Sequence, residues 1–458
     1  MTPGSVSSGE RRWRGLASTA SPGSLILAAA IPVIFLHVQF QPGVGVAVGQ
    51  TTVNAYLSDF GVLAIVLAAL WSGVRHGFAP LRKGRMLWVA TALFLVWIVV
   101  EVGLGHAHAP AYAWHVHAVT AAKFAEYALL APALPLLLRS TTDLVLPLWS
   151  LVLWTCAATA VGVAQLFGAA IFFPGAVGHR QASFLSFADF AALAAAVLLL
   201  GAAAYALPRL GLGRTLTTLA LVSGSIGVIV AGAVASVLGF ATALVALVVV
   251  IVVRHELQPR RLAVVAAVAA VTVLGTVAIR GSDLEAFARF LGASKHQAPA
   301  TKVQTYSHRT LLAWLGFEIW KDHPLVGVGW EGSGEPANFE PYLPAAHRRF
   351  PDVAALAFPA APPDRRYGVQ DVWIQALADL GVIGLALWAA IFGTAAWLAL
   401  RAARAAGTTT ALLGLLWTAL LVWLWTAQGF IAGIPLDAVT WLAFGFAAVP
   451  VVAARPAE

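Results

Sequence analysis

The residues best equipped for chemistry are cationic and gather late in the chain. His308, Arg309, Lys321, His323, Arg348, Arg349, Arg365 and Arg366 all fall within residues 281–373. Arginine suits the capture of a phosphorylated ligand, because its planar fork binds phosphate oxygens in pairs and keeps its charge at any physiological pH. A solvated, mixed-charge surface is the plainer account of Arg348, Arg349, Arg365 and Arg366. Two further arginines are harder to assign to a surface. Arg180, in Gly-His-Arg-Gln-Ala-Ser, and Arg280, at the end of an apolar run, both sit at the edge of hydrophobic sequence, where a charge needs a partner, a task or a route to lipid headgroups.

Other constellations carry weaker chemistry. His106, His108, His115 and His117 form a His-x-His…His-x-His pattern in a short connection, but it lacks the spacing of a metal site, and interfacial histidine is the expected reading. Lys123 and Glu126 lie three apart and are expected to pair with each other, while Glu101 and Asp189 read as structural acids. A nucleophile elbow, a phosphate-binding glycine–lysine loop and a dinucleotide fingerprint are absent in convincing context, which argues against ATP or NAD chemistry of the soluble type. No cofactor and no metal is expected. Cys156 is the single cysteine, so an intrachain disulfide and a cysteine-based zinc site are excluded.

What must position these groups is a membrane scaffold. Of 458 residues, 60% are hydrophobic and 10% charged, against about a quarter charged in an average soluble domain. Crossing the hydrocarbon takes about 20 apolar residues in a helix, since backbone exposed to lipid must satisfy its own hydrogen bonds. Twelve stretches meet that need: 23–41, 58–75, 86–104, 119–138, 144–166, 186–207, 215–234, 236–253, 262–280, 374–400, 409–430 and 436–453. Arg11, Arg12 and Arg14 ahead of the first stretch resemble a secretory signal. Without a clear cleavage site, and with more spans following closely, that stretch is expected to be a retained helix.

Charge sets the expected orientation. With residues 1–22 cytoplasmic, the inner connections carry Arg75, Arg82, Lys83, Arg85, Arg139, Arg209, Arg214, Arg254, Arg260, Arg261, Arg401 and Arg404, while the short outer ones offer only Lys123 and Arg180. The net charge of +8 is then a membrane asymmetry and not a nucleic-acid footprint. The expected organisation is a cytoplasmic tail (1–22), transmembrane helices one to nine (23–280), a periplasmic loop domain (281–373), helices ten to twelve (374–453) and a cytoplasmic tail (454–458). The fold class is all-α, polytopic, in a bacterial inner membrane. Half of the chain's 20 acidic residues lie in the loop domain. Within it, Tyr306 to Lys321 reads as a helix with Leu311, Leu315 and Ile319 on one stripe, Ser307 as a cap and Pro324 as its stop. Gly327, Gly329, Gly332 and Gly334 then predict tight turns.

The stretch His308-Arg309…Trp314…Trp320-Lys321-Asp322-His323-Pro324-Leu325-Val326-Gly327-Val328-Gly329-Trp330 resembles the bacterial O-antigen ligase and polymerase superfamily. So does Gln370-Asp371-Val372-Trp373 through Asp379-Leu380-Gly381-Val382-Ile383-Gly384. The resemblance implies a membrane glycosyltransferase of polysaccharide or lipopolysaccharide assembly. Its donor would be a glycan on undecaprenyl diphosphate, its acceptor another glycan or a lipid core, and its remaining partners membrane lipids, with no nucleic acid. It assigns Arg180 and Arg309 to the diphosphate, where Arg280, His308 and His323 join them as cationic candidates from their place in the sequence. It points to Asp371, Gln370 and Arg309 for catalysis, and to Pro324, Gly327, Gly329, Gly381 and Gly384 for loop and turn geometry. Two departures stand out. Gln370 occupies the position of a family histidine thought to activate the acceptor, which leaves Asp371 as the candidate base. The turn between the seventh and eighth spans reads Ser236-Val237-Leu238-Gly239 and lacks an expected arginine, which Arg280 could replace in space. A transporter or flippase, and a non-catalytic assembly scaffold, are the alternatives from other classes.

Overall fold

The computed structural model describes residues 21–48, 51–109, 111–173, 180–290, 305–351, 368–404, 409–429 and 434–449. Arg365, Arg366, the side chain of Ser307 and the two tails lie outside them. The helices are α1 (Pro22–Ile34), α2 (Leu57–His76), α3 (Arg85–His108), α4 (Trp114–Ala128), α5 (Leu130–Leu137), α6 (Thr141–Leu166), α7 (Phe187–Ala206), α8 (Arg214–Ala231), α9 (Val234–Val253), α10 (Pro259–Phe290), α11 (Thr305–Asp322), α12 (Pro336–Phe339), α13 (Leu343–Arg349), α14 (Val372–Ala403), α15 (Thr409–Trp425) and α16 (Ile434–Ala448). The protein is an all-α polytopic membrane fold: among the described residues eight helices are long and apolar enough to cross a bilayer, and three more apolar ones are shorter.

Three boundaries differ from expectation for identifiable reasons. The stretch 119–138 is split at Leu129 into α4 and α5, because Pro132 and Pro135 withdraw backbone donors from the turn that would have joined them. α10 does not stop at 280 but runs on to Phe290, so Arg280 stands within a helix and not at its end. Residues read as connection form a hairpin, with β1 (Gly43–Val48) antiparallel to β2 (Thr51–Tyr56) in a register that pairs Val46 with Val53. Alternating valines and paired threonines favour strand there. Lys123 also differs: it reaches Glu126 at 3.8 Å but lies closer to Asp59 of α2.

α7 is the hub. Nearly all of its side chains are buried, and small residues let α8 come against it backbone to backbone. A Cβ on Gly224 would lie 2.6 Å from the Leu198 backbone nitrogen, and one on Gly201 would lie 2.7 Å from that of Leu221. Such contacts replace the hydrophobic drive that lipid cannot supply between helices. A second centre is aromatic: Trp388 of α14 stands 5.2 Å from Phe94 and 6.2 Å from Trp425 between ring centroids. As the stripe predicts, α11 buries Leu311, Leu315 and Ile319 and ends just ahead of Pro324. The N-termini of α7, α9 and α14 and the C-termini of α8 and α15 meet at one end of the bundle, and this end carries the candidate site.

Candidate functional site

The two motifs separated by 40 residues are one structural unit. Val328 and Gly329 donate backbone hydrogen bonds to the carbonyls of Ala378 (3.0 Å) and Asp379 (2.9 Å), and Val382 donates back to Pro324 (2.9 Å). Two glycines make this approach possible. Gly327 (φ +74°) brings its backbone so close that a Cβ would lie 2.4 Å from the Asp379 carbonyl. Gly381 (φ +66°) would put one 2.1 Å from the Leu325 oxygen. Both positive φ and lack of space select glycine here. Gly381 also breaks α14, so the leg Val372–Leu380 departs from the rest of the helix. Gly329 packs on Gly105 of α3, while Gly384 lies against Leu380 one turn earlier in α14.

A buried clasp holds the same loop from its other side. His117, at the start of α4 and ahead of its apolar stretch, places Nδ1 3.3 Å from Glu331 and Nε2 3.0 Å from Glu335. Thr120 donates to Glu331 at 2.9 Å, Trp330 donates its indole N–H to Thr120 at 3.0 Å, and Tyr112 donates to the Trp330 carbonyl at 2.6 Å while stacking on His117. Burial alone would disfavour the imidazolium, but the two carboxylates outweigh it and raise His117 to about 9. Burial and the surrounding acids push the Tyr112 phenol up as well. Trp330 is 1% exposed and meets Phe124 at 5.5 Å, so the loop is plugged into the bundle core. Asp379 accepts from the Ser333 amide at 2.7 Å. The histidine pattern is thereby divided: His117 belongs to the clasp, His106 faces Trp114, and His108 bonds the Leu104 carbonyl. Among the described residues no group of three or more histidine, cysteine or acidic side chains could hold a metal ion.

Away from this clasp an open, shallow cleft is lined by Arg180, Gly232, Ala233, Arg309, Leu424 and Gln428 among others. Arg180 and Arg280 converge on the α8–α9 turn. A Cβ on Gly232 would lie 3.1 Å from Arg180 Cγ and 3.3 Å from Arg280 Cδ, so the glycine admits both stems. This is the turn the sequence leaves without an arginine, and Arg280, 3% exposed and 2.9 Å from Asp283, occupies its flank. Ser236 itself falls inside α9 and is buried. The Arg180 guanidinium sits 5.0 Å over the Phe187 ring, with Nε 3.5 Å from the Ala231 carbonyl.

Arg309 enters from α11, which lies close to the start of α14 because Gly316 gives way to Val369 and Ile374. Its Nε donates to Gln370 Oε1 at 3.2 Å. Burial, with Arg309 beside it, lowers His308 to about 4, so that imidazole is neutral at pH 7. Asp371 is the N-cap of α14: its Oδ1 accepts from Trp373 (3.0 Å) and Ile374 (3.1 Å). Burial raises its carboxyl to about 6 against the pull of those two N–H groups. His323 is not brought to this cleft. It lies at the exposed far end of α11, 14 residues and therefore about 21 Å along the helix from Arg309.

Residues 219–389 match the family described as O-antigen ligase. Over that part of the chain the match supports a likeness to the O-antigen ligase/polymerase superfamily. Arg280, His308, Arg309, Gln370, Asp371 and the interlocked glycines fall inside the O-antigen ligase match, whereas Arg180 and the His117 side of the clasp come from sequence before it. The match supports, at a coarse level, ligase- or polymerase-type glycan transfer with lipid-linked glycans as substrates. A comparison with curated proteins gives no match. The sequence does not single out Gln428 or the His117–Glu331–Glu335 clasp. Gln428 sits in apolar sequence without a motif, and the clasp joins residues more than 200 positions apart.

Proposed function

We propose that the protein transfers a glycan from an undecaprenyl diphosphate-linked donor to an acceptor, a second glycan or a lipid core, at the periplasmic face of the bacterial inner membrane. The carrying observation is that Arg180 and Arg309 line one cleft with Gly232, while the stem of Arg280 packs against the same glycine. Breaking the bond between the sugar and the diphosphate leaves both electrons on the departing lipid diphosphate. Fixed guanidinium groups in a partly desolvated cleft stabilise that charge better than water does, because their dipoles need not reorganise. They supply this without a metal.

The acceptor hydroxyl forms the new bond to the sugar and must surrender its proton. Asp371 is the nearest acid to Gln370, is ionised at pH 7 and is the candidate to take it. The arginine distribution along the connections supports orienting the cleft outward with both termini cytoplasmic. Purified protein in nanodiscs with labelled lipid-linked glycan tests the reading. Transfer is expected with the native chain and is expected to fall about a hundredfold or more with Arg309→Ala. Equal transfer by both would remove Arg309 from the mechanism.

A further inference from the structure

We infer that Gln370 is a positioning residue for Arg309, orienting a diphosphate-binding guanidinium through a neutral acceptor. This rests on the diphosphate reading above and adds to it a role for the amide. The bond from Arg309 Nε to Gln370 Oε1 is 3.2 Å long and joins the two motifs across 61 residues. Because it is made at Nε, the donor nearest the side-chain stem, it fixes the rotation of the guanidinium plane, and Arg309 lines the cleft.

Gln370 is itself held on both sides. Asp371 caps α14 immediately after it, and Val369, before it, is 3% exposed. The chain at Gly429 presses on this segment so closely that a Cβ there would lie 2.3 Å from the Val369 carbonyl oxygen and 3.4 Å from Gln370 Cα. An acceptor mounted so rigidly sets where the arginine points. Its chemistry matters as much as its place. An amide oxygen accepts from guanidinium without cancelling its charge, so this contact leaves the cation intact for an anionic ligand. A carboxylate at the same position would form an ion pair, such as Asp283 makes with Arg280, and would compete with an anionic ligand. An imidazole could do this only through one unprotonated ring nitrogen, and would then no longer be free to take a proton.

The probe is farnesyl diphosphate, with farnesol as the uncharged control, titrated into full-length protein in nanodiscs. Native protein is expected to bind the diphosphate well above farnesol, and Arg309→Ala to lose most of that preference. Gln370→Met keeps the side chain's length and apolar contacts but has no oxygen, and is expected to weaken diphosphate binding about tenfold with farnesol unchanged. In the Arg309→Ala background the same substitution is expected to add nothing, which a merely structural role for Gln370 would not produce. Gln370→Glu retains an acceptor oxygen but adds charge, and is expected to weaken binding at least as much as Gln370→Met. If native protein does not distinguish farnesyl diphosphate from farnesol, the diphosphate reading fails. If it does, and Gln370→Met binds like native protein or its loss adds fully to that of Arg309→Ala, the positioning role is overturned. Native-like binding by Gln370→Glu would overturn the requirement for neutrality.

Discussion

Replacing His117 by alanine removes the only base between two buried carboxylates, and the cost is readable as a pH dependence. His117 rises from 6.5 to about 9 in the folded protein, and each pKa unit corresponds to about 1.4 kcal/mol of preference for the protonated form. The clasp therefore contributes roughly 3 kcal/mol. Little is lost to solvent screening, because His117 is 7% exposed and Glu331 is 4% exposed. Since the folded value lies above the unfolded one, the contribution is fully present below about pH 6.5. It declines as pH rises and is gone above about 9. Native protein in detergent, unfolded by urea at intervals from pH 6 to pH 10, is expected to lose stability across that window. His117→Ala is expected to be less stable by about 3–5 kcal/mol at pH 6.5, because it also leaves two acids facing each other without a counter-charge, and its stability should no longer fall between pH 6.5 and 9. Adding Glu331→Gln and Glu335→Gln should recover part of the loss. A native profile flat from pH 6.5 to 9.5, or a variant with the same slope as native protein, would refute the ion-clasp argument.

Two further outcomes follow from the geometry. Gly381→Ala must move the Leu325 carbonyl, since its Cβ would lie 2.1 Å from that oxygen at φ +66°. It is expected to cost more than about 2 kcal/mol in thermal or urea unfolding, whereas Gly393→Ala, with nothing near its Cβ, should be neutral or slightly stabilising. Asp371→Asn keeps a good helix cap but cannot accept a proton. Native turnover is expected to show an acid limb near pH 6, because the base must be ionised, and the variant should lose most turnover at pH 7 with an unchanged melting temperature. A variant turning over normally at pH 7 would show that another group takes the proton.

What the sequence reveals depends on whether the determining physics is local. Helical stretches were legible because bilayer thickness forces long apolar runs, and the buried stripe of Leu311, Leu315 and Ile319 followed from helical periodicity. The glycines at 327 and 381 announced special backbone, but not that each exists to admit the other's strand of chain. The hairpin within 43–56 is not legible because the segment lies between two apolar spans and reads as their connection. Arg280 and Arg180 were singled out by charge at a hydrophobic edge, and their meeting at Gly232 depends on where α8 ends, which is a tertiary fact. His323 shows the converse error: it belongs to the same sequence motif as Arg309, yet an 18-residue helix carries the two apart. Nothing local joins His117 to Glu331 and Glu335, since each alone is an ordinary interfacial or loop residue.

The two arginines at Gly232 have unlike mountings. Arg180 bears on Phe187 at the head of α7, whose apolar window is 89% enclosed by protein, whereas Arg280 rides on α10, whose window is only 17% enclosed. Most of the apolar length of α10 is therefore left uncovered by the rest of the chain, and a helix so exposed to lipid would answer a thinner or thicker bilayer by tilting. Tilt would slide Arg280 against a stationary Arg180, making the gap between the two charges a gauge of local membrane thickness.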